Sequence, residues 1–288
     1  MAPTILIVGS LHYDIMVEAD HLPRRDETAV GTRWYPKFGG KGGNQAVAVA
    51  GSGGRARMLG AVGSDAFGRF LRDRLIEAGV DAGLVETHPD EGSGMSVAIV
   101  DGAGDYAATI VSGVNRRIDP DRLAADRVWD DVAMLVLQNE VSEAVNLAAA
   151  REARTRRVPI LLNAAPARVL APELAALVDV LVVNSVEAEM MGAGPVQDLQ
   201  SAADAAAQLG RRFPTVVVTA GGLGLAAVTG HGVPTEHPAE PVEVISTHGA
   251  GDCFVGALAV GLAVGDPLND AFRSASHAAA LHVSAIRV

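Results

Sequence analysis

The sequence predicts an α/β protein: a three-layer αβα domain with a mainly parallel central sheet, plus a small β-sheet lid. Two observations carry this. From about residue 130 onward, short Val/Leu/Ile runs alternate with Ala-rich runs of helical length, the rhythm of right-handed βαβ units. In the first third that rhythm is interrupted twice by paired stretches of alternating apolar and polar residues, as a second sheet requires. Aromatic residues make up only 4% of the chain, which leaves the core to Ala, Val and Leu, the material of a parallel sheet covered on both faces.

Taken in order, residues 4–8 (Thr-Ile-Leu-Ile-Val) read as the first strand. Asp14–Glu18 and Thr28–Tyr35 alternate and form the first interrupting pair, and a glycine turn at 39–43 leads into a helix over Ala46–Ala50. Met95–Val100 and Tyr106–Val111 form the second pair, joined by the hairpin signal Asp101-Gly-Ala-Gly104. These four strands are expected to pack together over the ends of the main strands. They would make a lid from about 12–38 and 94–112 within one domain covering 1–288. Strands at Met134–Leu137, Pro159–Leu162, Asp179–Val183 and Thr215–Thr219 then alternate with helices at Val141–Arg154, Val186–Met191 and Ala202–Leu209. A hairpin region follows (Leu225–Val228, Val233–Glu236, Val242–Ile245), and two closing helices end the chain, the first including Phe254–Leu262. Ligands of such sheets bind beyond the carboxyl ends of the strands, so the residues just after each strand are the candidates for chemistry.

Composition narrows the function. A net charge of −11 without a long basic run argues against nucleic acid or an anionic membrane as the main partner. Arg151, Arg154, Arg156 and Arg157 sit late in a predicted helix, where they serve its dipole and solubility. The single Cys253 excludes an intramolecular disulfide and a cysteine zinc site, and is expected as a small, semi-buried helix residue. The N-terminus lacks the basic region of a signal peptide, and no apolar run reaches membrane-spanning length without Gly or a charge. The expectation is a cytoplasmic protein.

The most informative stretch is Thr247-His248-Gly249-Ala250-Gly251-Asp252-Cys253-Phe254, at the entry of an apolar helix. A helix start carries unpaired N–H groups and partial positive charge, and glycines let a ligand approach them, which makes an anion cradle. An Asp inside such a cradle repels the anion, but is useful if it takes a proton from a hydroxyl attacking phosphorus. As a plain first-turn acid it would only stabilise the dipole. The stretch is not a Rossmann fingerprint, because Phe254 occupies the small third position. Nor is there a Walker loop, since Gly40-Lys41 is followed by Gly42. Four further clusters fall after strands or at turns. They are His12 with Asp14; the run Gly39-Gly40-Lys41-Gly42-Gly43-Asn44-Gln45, whose glycines would let backbone approach a small ligand; Asn139-Glu140; and Asn184 with Glu187, which also has the spacing of a capping box.

Together these pieces resemble the ribokinase-like (PfkB) carbohydrate kinase family, closest to its ribokinase branch, over nearly the whole chain. Gly39–Ala46 is similar to the family's N-terminal signature and Thr247–Asp252 to its C-terminal one. Gly9-Ser10, Leu162–Ala167 and Asn184-x-x-Glu187 stand in order around them. The resemblance implies ATP-dependent phosphorylation of a hydroxymethyl group on a small ribose- or fructose-like sugar. It implies Asp252 as base, with the N–H groups of Gly249, Ala250 and Gly251 as an anion hole. It places Asn184 and Glu187 at Mg²⁺ and the phosphates, Glu187 toward the metal; Thr219, Gly221 and Gly224 at the nucleotide; and His277 against the adenine. His12, Asp14, Gly40, Lys41, Gly42, Asn44 and Glu140 fall on the acceptor side. The lid implies a homodimer.

Some positions depart from the family pattern. His12 stands where the ribokinase branch has Asn, a sugar contact, which bears on ribose as acceptor. Ser246 replaces an Asp that helps hold a monovalent cation, and the sequence stops at Val288, short of the segment that completes that loop; weak or absent K⁺ activation is expected. His248 lies close enough to the anion hole to attract phosphate when protonated. A nucleoside kinase is the alternative, with Trp34, Tyr35, Phe38 and Tyr106 near the lid as candidate base stackers. A non-catalytic sugar-binding homologue is the remaining one.

Overall fold

All five residues of β1 (Thr4–Val8) are buried, so this strand is apolar on both of its faces. Such a strand belongs in the middle of a covered sheet, and there the computed structural model places it. The structure describes residues 2–102 and 106–285. After β1 come β2 (His12–Ala19), β3 (Gly31–Gly39), α1 (Lys41–Gly51), β4 (Arg55–Gly63), α2 (Ala66–Glu77), β5 (Asp81–His88), β6 (Met95–Val100) and β7 (Tyr106–Val111). The second half runs β8 (Val132–Gln138), α3 (Glu143–Thr155), β9 (Ile160–Asn163), α4 (Pro172–Leu177), β10 (Val180–Asn184), α5 (Ser185–Met190), α6 (Leu199–Leu209), β11 (Thr215–Thr219), β12 (Gly224–Thr229), β13 (Thr235–Pro238), α7 (Ala250–Val264) and α8 (Leu268–Ser284).

The large sheet has the order β13-β12-β11-β10-β9-β8-β1-β4-β5, and only β12 runs against the others. Its alternating side chains feed two cores. Leu6, Val8, Leu135 and Val183 pack with Ala149 of α3 and Ala206 of α6; Ile5, Ile7, Val136 and Val217 pack with Val49 of α1, Leu71 of α2 and Leu258 of α7. That is three layers. The four interrupting strands form a separate sheet, β3-β2-β6-β7, in which only the β2–β6 pair is parallel.

Several expectations need correction. α1 begins at Lys41, not near Ala46, and takes Gly42 and Gly43 into its first turns. Two helical glycines cost roughly 1 kcal/mol each. They are tolerated because a Cβ on Gly42 would lie 2.6 Å from Ser10 N, and one on Gly43 2.7 Å from the Phe38 ring. The expected strand at 28–35 is displaced to Gly31–Gly39. Val242–Ile245 forms no strand; this exposed segment gives its Ile245 N–H to Val283 O of α8, 2.8 Å away. β4, α2 and β5 have no counterpart in the sequence reading. Arg55, Arg57 and the glycines of β4 mask its pattern, although Asp65 caps α2 by accepting from Gly68 N at 2.6 Å. Ala103 and Gly104 of the expected turn, and the side chain of Tyr106, lie outside the described residues. Arg151 and Arg154 of α3 and Arg156 just after it are paired: Arg151 with Glu173, Arg154 with Asp179, and Arg156 with Asp126 and Glu152. Cys253 is half-buried, its Sγ 3.4 Å from Ala278 O.

Candidate active site

Gly249, at φ 81, turns the chain into α7 and places Asp252 in the first turn, with 7% of its surface exposed. One turn further on, Gly256 lets α7 press against α1; a Cβ there would meet Ala48 Cβ at 2.5 Å and Gln45 O at 2.9 Å. This close crossing brings two amides to the carboxylate. Gln45 Nε2 donates to Asp252 Oδ1 at 2.9 Å, and Asn44 Nδ2 to Oδ2 at 3.2 Å. Burial is the dominant influence on Asp252 and raises its pKa from 3.8 to about 6, against the opposing pull of Lys41 and the two amides. Asn44, expected on the acceptor side, is thus bound to Asp252. Gln45 was missed as a partner; its place beside Asn44 in the glycine run was the available signal.

Lys41, Asp252, Gly249, Gly251, Asn184 and Glu187 line one cavity of about 170 Å³. Of the three N–H groups expected to form an anion hole, that of Ala250 donates to Thr247 O at 3.2 Å, and Ala250 does not line this cavity. Gly249 and Gly251 do, at the positive end of α7. Asn184 and Glu187 form both halves of a capping box on α5: Asn184 Oδ1 accepts from Glu187 N, and Glu187 Oε2 from Asn184 N, each at 2.9 Å. Capping and access to the cavity are therefore combined in one pair. Among the described residues no three His, Cys, Asp or Glu side chains cluster for a metal. A divalent cation beside the single carboxylate of Glu187 would draw most of its oxygen ligands from water and a bound phosphate, as Mg²⁺ commonly does.

A larger cleft, about 450 Å³, adjoins this cavity and shares Asn184, Thr219 and Gly251 with it. Gly221 and Gly224 form one rim; Leu225, Phe254 and Val283 make apolar walls. The apolar walls suit a ring, and the junction with the smaller cavity suits a charged tail. His277 does not line the cleft. It pairs with Glu240, which does line the cleft, at 2.8 Å and is 57% exposed.

On the far side of Asp252, Glu140 gathers the end of β1, the start of β2 and the start of α1. Its Oε2 accepts from Ser10 Oγ at 2.5 Å and from Lys41 N at 2.8 Å, with His12 Nδ1 at 3.8 Å. Asp14, 7% exposed, accepts from Ser96 Oγ at 2.5 Å, and burial raises its pKa. Nε2 of His12 is buried without a partner among the described residues, a polar atom available to a ligand. Gly40 and Gly42, expected on the acceptor side, are packed closely against the chain itself. They admit the backbone of Ser10 and its neighbours: a Cβ on Gly40 would lie 2.8 Å from Ser10 O.

Comparison with known proteins shows the family and the fold. A family model described as pfkB family carbohydrate kinase matches residues 2–287. The chain is 34% identical to ribokinase of Bacillus subtilis over 97% of this chain and 92% of that protein. It is 30% identical to deoxyribokinase of Salmonella typhi, over 88% and 84% respectively. The structure of Arabidopsis thaliana ribokinase complexed with ribose and ATP superposes with a TM-score of 0.91 at 28% identity, covering 100% of this chain and 95% of that one.

Proposed function

This chain belongs to the pfkB family of carbohydrate kinases, and we propose that its acceptor is a ribose- or fructose-like furanose, phosphorylated on a hydroxymethyl group with Asp252 as general base. It is an ATP-dependent sugar kinase. The observation that carries the residue assignment is the placement of Asp252. It is a buried carboxylate of raised pKa at a helix start, beside Lys41 and between the nucleotide cleft and the Glu140 cluster.

In this reading the acceptor hydroxyl lies against Asp252, while Glu140, Asp14 and His12 hold the remaining hydroxyls. Asp252 takes the hydroxyl proton as the oxygen bonds to the γ-phosphorus and the bond to the ADP oxygen breaks. The N–H groups of Gly249 and Gly251 and the Lys41 ammonium stabilise charge on the transferring group, which is most of what phosphoryl transfer asks of a protein. Mg²⁺, held near Glu187 and Asn184, would neutralise phosphate charge. Thr219, Gly221 and Gly224 would flank the nucleotide, and the small sheet would act as a lid that excludes water.

A nucleoside acceptor remains as a second reading because Tyr35 lies on the same face of the small sheet as Asp14, where a base would stack. The test is ADP release with Mg-ATP against D-ribose, 2-deoxy-D-ribose, D-fructose, adenosine and inosine, run beside Asp252→Asn. Turnover of a free sugar that falls by about 10³ or more in the variant supports the proposal. Preference for a nucleoside, or a variant as active as the parent, overturns it.

A further inference from the structure

Four stretches of chain pass between the two sheets: residues 9–11 from β1 to β2, Gly40 from β3 to α1, 92–94 into β6, and 112–115 out of β7. All four converge on Leu11, which is fully buried. Asn115, also fully buried, holds both backbone groups of that residue. Leu11 N donates to Asn115 Oδ1 at 2.9 Å, and Asn115 Nδ2 donates to Leu11 O at 2.8 Å. The side-chain amide thus stands in for the strand neighbour that the backbone lacks where it leaves one sheet for the other. Gly94 closes the same point: a Cβ there would collide with Asn115 Nδ2 and lie 2.5 Å from His12 Cδ2 and 2.6 Å from Leu11 O. Gly40 closes it from the other side, where a Cβ would lie 2.9 Å from Leu11 Cα and 2.8 Å from His12 N. The junction has no slack.

The residues flanking Leu11 reach the Glu140 cluster. Ser10 donates to Glu140, His12 approaches the same oxygen, and Asp14 follows on β2. We infer that Asn115 is a positioning residue for the acceptor: its amide locks the Leu11 junction and so holds Ser10, His12 and Asp14 in register with Glu140. The inference rests on the reading of residues 10–14 as the acceptor side. The nucleotide cleft takes no residue from this junction, because it is lined from β10, β11, α7, α8 and the segments beside them. Loosening the junction should therefore act on one substrate only.

The experiment compares the full chain with Asn115→Ala and Asn115→Asp, using whichever of D-ribose, D-fructose, 2-deoxy-D-ribose and inosine the parent turns over best. The alanine variant should raise the acceptor KM tenfold or more, change kcat less than fivefold, and leave the Kd for ADP within twofold. The aspartate variant keeps the shape but turns an oxygen toward Leu11 O, so it should lose at least as much. An unchanged acceptor KM, an equal loss of ADP affinity, or a parent-like aspartate variant overturns the inference. If the parent accepts none of the four, the acceptor reading fails separately, and backbone hydrogen exchange decides. Faster exchange over residues 10–16 in both variants, with β10 and β11 unchanged, supports the junction; unchanged exchange there overturns it.

Discussion

Asp252 shows how one residue can be costly for the fold and useful for chemistry. Its pKa in the folded chain, about 6, lies above the 3.8 of an exposed carboxyl. The native state therefore binds its proton more tightly than the unfolded state does. The resulting stability is complete below pH 3.8 and is lost as pH rises through about 6. At neutral pH the buried charge destabilises the fold by a few kcal/mol at most. Two outcomes follow. The acceptor kcat/KM should rise with pH to a plateau, with a midpoint near 6 set by the deprotonated base; a flat profile from pH 5 to 8 would contradict the assignment. Asp252→Asn should melt higher than the parent at pH 7.5, and a lower melting temperature would show that the Gln45 and Asn44 bonds outweigh the relieved charge. The Asp itself was legible from its glycine setting. Gln45 and the pairing of His277 with Glu240 were not, because each joins residues far apart in the chain.

At the level of elements, the meeting of α1 and α7 does most to assemble the site. Each helix has small residues where the other approaches, and Gly256 against Ala48 sets their separation. Gly256→Val should push the helices apart, at about 1–3 kcal/mol for an overpacked contact. It should also lower kcat, because Asn44 and Gln45 would move away from Asp252. Thermal melting and initial rates check both, and a variant that loses stability without losing kcat would separate packing from positioning. Strands with plain Val/Leu/Ile runs were legible, as β8, β10 and β11 show. The start of α1 was not, since glycine disfavours a helix in isolation and is accepted here only for close packing. Val242–Ile245 alternates like a strand, yet among the described residues no neighbouring strand pairs with it.

For the molecule as a whole, the proposed function divides the work of the two-sheet plan between a nucleotide cleft over the main strands and a small sheet over the acceptor side. The small sheet leaves Trp34, Ile110 and Val111 exposed at 63%, 57% and 52%, more apolar surface than a lid alone requires. We propose that it pairs with a second copy. Sedimentation should give a dimer that Trp34→Glu weakens, and a monomeric parent at micromolar concentration would end that idea. The loop before α7 has Ser246 rather than a carboxylate, and its hydroxyl accepts from His248 N at 3.4 Å. Exchanging Na⁺ for K⁺ should accordingly change kcat less than twofold, whereas a several-fold rise would show a cation site the loop was not expected to hold. The sequence alone carried the class of fold, the main strands from β8 to β11, both glycine-rich signatures and Asp252 as the candidate base. Those properties reside in local patterns of apolar period, glycine and charge. The partners of Asp252, the Leu11 junction and the pairing of His277 with Glu240 came from packing. Each joins residues tens to hundreds of positions apart, and no local pattern records which two surfaces will meet.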